Sequence, residues 1–217
     1  MSLNTQEHFW SGDFGKNYTD RNSRHSDEFN NAYEVWYGIS RTKMNQTFLG
    51  SIPKDIKILE VGCNTGMQLS ELQSEGFTSL YGIELQDYAV QKAKEYTEGI
   101  NIIQGSAFDI PFKDNFFDLV FTSGVLIHIS PDNLSKVFSE MYRCSKKYVW
   151  GFEYYSDDVT SINYRGNEGF LWKANYGKLL RSQFSNLELI KEEKYPYITQ
   201  AEKGNVDFMY LLEKRNA

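Results

Sequence analysis

Ile58-Leu59-Glu60-Val61-Gly62-Cys63-Asn64-Thr65-Gly66 is the stretch that decides the fold. An apolar run over residues 56–61 leads into a Gly62-x-x-x-Gly66 turn, and a helical pattern follows over residues 67–72. Strand, tight glycine loop and helix, in that order, open a nucleotide-type α/β fold. Glycine is required where the backbone turns with positive φ or approaches a ligand closely. The spacing then separates ligands. A pyrophosphate loop needs G-x-G-x-x-G, its middle glycine letting the backbone meet the phosphates. Counted from Gly62, those positions hold Gly62, Asn64 and Met67, so a dinucleotide is disfavoured.

Downstream, Ser79-Leu80-Tyr81-Gly82-Ile83-Glu84 reads as a second strand ending in an acid. An acid roughly twenty residues past the loop is placed to accept from ribose hydroxyls. A carboxylate suits two adjacent hydroxyl donors because it offers two acceptor oxygens. Asn101-Ile102-Ile103-Gln104-Gly105-Ser106-Ala107 and Phe116-Phe117-Asp118-Leu119-Val120-Phe121-Thr122-Ser123-Gly124 read as further strands running into loops. The pattern over 56–128 resembles the ordered motifs of class I S-adenosylmethionine (SAM) methyltransferases. That resemblance implies a Rossmann-like α/β fold, a seven-stranded, mostly parallel sheet flanked by helices. It implies SAM as cofactor and S-adenosylhomocysteine as product.

The same resemblance assigns expected roles. Gly62, Cys63 and Gly66 shape the loop, while Asn64 and Gln68 contact the methionine part. Glu84 holds the ribose, with Leu85 next to it. Ser106 and Ala107 lie beside the adenine, and Thr122, Ser123 and Gly124 line the methionine side. Many relatives carry an acid where this chain has Ser106, so a hydroxyl or the backbone of Ala107 is left to read the ring. Methyl transfer from a sulfonium is a direct displacement, for which a protein mainly supplies alignment and a dry site. A general base helps a hydroxyl or ammonium acceptor. His128 is the first candidate, since the ordinary histidine pKa lies near neutrality. Glu153 is the second, and His8 and His25 are weaker. A purely structural role for His128 stays open.

Glu7-His8-Phe9-Trp10-Ser11-Gly12-Asp13-Phe14-Gly15-Lys16-Asn17-Tyr18-Thr19-Asp20-Arg21-Asn22 looks like the opening of methyltransferases associated with pseudaminic acid biosynthesis. Tyr164-Arg165-Gly166 and Phe170-Leu171-Trp172-Lys173 resemble the same group. The implied acceptor is a small molecule on the pathway of a nine-carbon acidic sugar. In this reading residues 1–50 form an N-terminal helical lid and residues 51–217 the SAM-binding domain. Trp10 excludes water, Tyr18 donates a hydrogen bond and Arg21 pairs with a carboxylate. Tyr164 and Arg165 belong to a long connection over 153–172 of the kind that carries substrate contacts. The competing reading is an amphipathic helix with Arg21 solvated.

Bulk properties fit this picture. A chain of 217 residues supports one substantial core, and 16% aromatic content supplies packing area. The net charge of −6 and pI near 5.2 oppose a nucleic-acid partner, which would call for a basic face. Cys63 and Cys144 form no metal-ligand or C-x-x-C spacing, so no metal is expected and a reducing cytoplasm is the natural location. No membrane span or signal peptide is expected. The expected partner is a small-molecule substrate, and a homodimer is left open. Two alternatives to the sugar reading remain: a protein or RNA methyltransferase, and a non-catalytic SAM-binding partner protein.

Helical period over 24–48 predicts helix before the first strand. Further helices are expected over 86–96, 133–143 and 172–184. Strands are expected over 148–152, 187–192 and 206–213, the last two as an antiparallel edge.

Overall fold

The computed structural model describes residues 3–22 and 26–215, so His25 lies outside the described residues. The chain opens with four helices: α1 (Thr5–Ser11), α2 (Asp13–Asn22), α3 (Ser26–Tyr37) and α4 (Arg41–Leu49). An alternating run follows: β1 (Lys57–Val61), α5 (Met67–Ser74), β2 (Ser79–Glu84), α6 (Asp87–Tyr96), β3 (Asn101–Gln104), β4 (Phe117–Ser123), α7 (Pro131–Cys144) and β5 (Ser145–Tyr154). A short hairpin pairs β6 (Thr160–Ser161) with β7 (Trp172–Lys173). The chain then forms α8 (Tyr176–Gln183), β8 (Leu187–Pro196) and β9 (Val206–Lys214). The main sheet has seven strands in the order β3-β2-β1-β4-β5-β9-β8. All pairs from β3 to β5 are parallel, and β9 enters antiparallel to β5.

Strand periodicity divides the core between the two sheet faces. Leu59, Val61, Val120, Val149 and Tyr210 face a cluster completed by Val137, Phe138 and Met141 of α7 and Leu180 of α8. Ile58, Leu119, Phe121, Trp150 and Leu211 face the other side. There they meet Leu69 and Leu72 of α5, Val90 and Ala93 of α6, and Tyr33, Met44 and Phe48 of α3 and α4. The second half of the expected 1–50 lid is therefore built into the core. Helices α1 and α2 pack against the loop after β2, where the Gln86 side chain meets the carbonyls of Ser11 and Gly12.

The expected helix over 172–184 starts later, and Trp172–Lys173 is strand instead. The Asn175 side chain accepts from the Lys178 amide and caps α8, which fixes its start at Tyr176. Packing between β5 and β9 is tight. A Cβ added at Gly151 would lie 2.3 Å from Cζ and the hydroxyl oxygen of Tyr210, a fully buried ring. Gly151→Ala is expected to destabilise the fold by about 2–3 kcal/mol, as overpacking of a rigid core does. Denaturant unfolding measures this, and an unchanged midpoint would contradict the packing described.

Candidate active site

The strand order reverses between β1 and β4, and a crevice at that point is the general ligand position of an open α/β sheet. A cavity of about 300 Å³ lies there. Its floor is the loop after β1. Gly62 has φ 74° and Gly66 φ 78°, with Asn64 also left-handed at 46°. The Gly62 and Cys63 amides donate to Ile83 O at 2.8 and 3.0 Å, which ties the loop to β2. A Cβ at Gly62 would meet Val125 Cγ2 at 2.7 Å, so the glycine is required twice, for its φ and for the approach of the β4 loop.

Glu84 braces this loop. One carboxylate oxygen accepts from the Asn64 amide at 2.9 Å and the other from the Gln86 amide at 2.8 Å. Burial raises its pKa, while those amides pull the other way. With the Leu85 amide as a third backbone partner, the carboxylate keeps about one lone-pair direction for a ligand. Around it, Oε2 of buried Glu60, Oδ1 of Asn64 and Oε1 of Gln68 have no hydrogen-bond partner. All three residues line the cavity. A wall with three unanswered acceptors fits a ligand carrying a multi-donor cation, such as the ammonium of a methionine moiety.

Of the residues expected at the cofactor, Gly62, Cys63, Asn64, Gln68, Glu84, Leu85, Ser106, Ala107, Ser123 and Gly124 line the cavity. Gly66 instead starts α5, and Thr122 is fully buried beneath the wall. Cys63 is buried, and burial raises its thiol pKa well above the usual range, which suits packing and not nucleophilic attack.

The base candidates separate clearly. His128 lines the cavity, and its Nδ1 is 2.8 Å from the Phe170 carbonyl oxygen. A carbonyl only accepts, so Nδ1 carries the proton and Nε2 keeps its lone pair. Burial lowers the His128 pKa to about 4, which leaves the ring neutral at physiological pH. Glu153 is absent from the cavity wall. Its carboxylate turns into the β4 loop and accepts from the amides of Val125 (3.2 Å) and Ile127 (3.4 Å), and burial raises its pKa to about 7. The structure thus gives Glu153 a loop-holding position and leaves His128 as the base candidate at the cavity. Among the described residues no group of three or more His, Cys, Asp or Glu side chains is arranged to hold a metal ion.

Helices α1 and α2 form the opposite wall. Trp10 and Tyr18 line the cavity, and the Trp10 indole N–H is buried without a partner. The Trp10 ring lies 4.4 Å from His128 between centroids, and Phe9 stacks on Phe170 at 4.0 Å. Tyr164 packs on His128 at 5.0 Å without lining the cavity. Arg21 lies over the Phe14 ring, and Arg165 has φ 52° in the loop beside Tyr164. Sequence reasoning missed Gln86. Its side-chain amide donates to the carbonyls of Ser11 (2.8 Å) and Gly12 (3.0 Å), answering the open carbonyl end of α1. It also missed Glu7, Tyr33 and Trp36, all in the cavity wall. Only the Asn4–Glu7 spacing, a capping box, carries a local signal.

Comparison with known proteins places this geometry. Residues 59–149 match the methyltransferase domain family. A sterol 24-C-methyltransferase of Pneumocystis carinii is 30% identical over 95 residues, covering 41% of this chain and 25% of that protein. The chain thus spans about a quarter of the length of the sterol enzymes it matches. A phosphoethanolamine N-methyltransferase of Plasmodium falciparum is 25% identical over 195 residues, covering 85% of this chain and 66% of that one. Among solved structures, a Burkholderia thailandensis 1,6-didemethyltoxoflavin-N1-methyltransferase with bound S-adenosylhomocysteine superposes with TM-score 0.70. It covers all of this chain and 93% of its own at 13% identity. The PH0226 protein of Pyrococcus horikoshii gives TM-score 0.66 at 20% identity, covering 99% of this chain and all of its own. Residues 59–149 of this chain thus match a methyltransferase domain, carried on the Rossmann-like fold that its SAM-dependent methyltransferase neighbours share.

Proposed function

We propose that this protein transfers the methyl group of SAM to a small, acidic, sugar-derived acceptor of the pseudaminic or a related nonulosonic acid pathway. The observation that carries the acceptor class is electrostatic. Arg21 lies over the Phe14 ring, Phe14 packs edge-on against Tyr164 at 5.7 Å, and Arg165 follows Tyr164 in the loop that packs on His128. Two planar cations flanking one aromatic rim suit a carboxylate. The N-terminal resemblance supports the same class.

Bound SAM supplies an activated methyl group. Asn64, Gln68 and Glu60 would hold its methionine part, and Glu84 its ribose. His128 works from the opposite side. Its proton stays on Nδ1, held by the Phe170 carbonyl, and Nε2 takes the proton of the acceptor as the new bond forms. Trp10, Phe9 and Phe170 form an aromatic seam that keeps water from the reacting atoms.

The test is transfer from methyl-labelled SAM to a small-molecule extract spiked with acidic-sugar intermediates, with the macromolecular fraction beside it. Label in an acidic sugar is expected, and label confined to RNA or protein would overturn the reading. A second reading is an amine acceptor. The relative from Plasmodium falciparum favours it, as do the aromatic faces of Tyr18, Tyr33 and Trp36 in the wall, which suit an ammonium. Label in a phosphorylated amine would select it.

A further inference from the structure

The cavity continues past Glu84 to the end of β3. There the Gly105 amide donates to Glu84 O at 3.0 Å, and Ser106, Ala107 and Phe108 form the wall. Ser106 does not present its hydroxyl proton to this space. Its Oγ accepts from the Phe108 amide at 3.1 Å and donates to Glu7 Oε1 at 2.5 Å. The polar group that α1 brings to this end of the cavity is the Glu7 carboxylate, only 9% exposed. Its other oxygen accepts from the Asn4 amide at 2.9 Å and completes the cap of α1. A capping glutamate at a helix start ordinarily faces solvent. Here the cap is turned inward, and no ion pair is formed with Glu7 among the described residues. A carboxylate offers acceptors only, about four lone-pair directions, of which two are used. The ligand group that meets it must therefore be a hydrogen-bond donor.

This inference rests on the reading that the cavity holds an S-adenosyl nucleoside. With the ribose at Glu84 on β2, the base extends towards β3, and the donor that adenine presents on its ring edge is the exocyclic amino group. We propose that Glu7 is the residue that selects the base, its carboxylate accepting from the adenine amino group while Ser106 holds it in position. Base recognition is thus delivered by α1 and not by the β3 turn. The base is read only when α1 is docked, with Gln86 holding the far end of the same helix.

The test compares S-adenosylhomocysteine with its 6-deamino analogue, purine in place of adenine, by calorimetry on the full chain. The wild type is expected to prefer the amino compound by about 30-fold, the size of one charge-assisted hydrogen bond. Glu7→Ala is expected to bind both compounds within about threefold of each other. Glu7→Gln, which keeps a capping-box residue, is expected to fall between. If Glu7 only caps α1, both compounds weaken by one factor and the preference persists in Glu7→Ala, which overturns the proposal. A wild type that binds neither compound overturns the cofactor reading itself, and this inference with it.

Discussion

In calorimetric titrations, Glu84→Ala is expected to bind SAM about 100-fold more weakly than the wild type, a loss of about 2.7 kcal/mol. Two effects add. The ribose loses an acceptor, and the amides of Asn64 and Gln86 lose the charged partner that holds the glycine loop and the start of α6. Hydrogen bonds to a charged group are worth roughly 1.5–3 kcal/mol each, and water entering the emptied site restores part of that. Glu84→Gln keeps the shape and one carbonyl acceptor, so a loss of only about 10-fold is expected. An affinity for Glu84→Ala within twofold of the wild type would remove this residue from the site.

The second large effect is on turnover. His128→Ala is expected to lower the rate at saturating SAM and acceptor by roughly 10²–10⁴-fold, the range for loss of a positioned base. SAM affinity should change little. Because burial lowers the His128 pKa to about 4, the neutral form is present throughout the physiological range. The wild-type rate should stay flat above about pH 5 and fall tenfold per pH unit below pH 4. Stability carries the same signature. The unfolded chain takes up the proton near pH 6.5, before the folded one does near pH 4. The stabilisation is therefore complete above pH 6.5 and is lost as pH falls towards 4, amounting to about 3 kcal/mol. His128→Phe should not show that loss. A turnover unchanged in His128→Ala, or an acid limb that persists in it, would contradict the assignment.

The glycine loop, the acid after β2 and the alternation of strand and helix were legible because each depends on local chemistry. Positive φ calls for Gly62 and Gly66, and strand periodicity places Glu84 at a strand end. What stayed hidden depends on contacts between distant residues. Glu7 reaches Ser106 across 99 positions, and Gln86 reaches Gly12 across 74. No period or cap reports such a meeting. Glu153 lies one residue before the end of β5, and its side chain turns inward to accept from the amides of Val125 and Ile127, an orientation that its place in the sequence does not report. The helix expected from Trp172 begins at Tyr176, because Trp172–Lys173 finds a strand partner in Thr160–Ser161 and Asn175 supplies the cap.

The most direct test of the central claim, that the cavity over Gly62–Gly66 is an S-adenosyl site, is calorimetric titration of the purified chain with S-adenosylhomocysteine, with NAD as the control. The account predicts one S-adenosylhomocysteine bound per chain in the micromolar range or tighter, and no heat from NAD. Absence of S-adenosylhomocysteine binding, or NAD binding in its place, would contradict it.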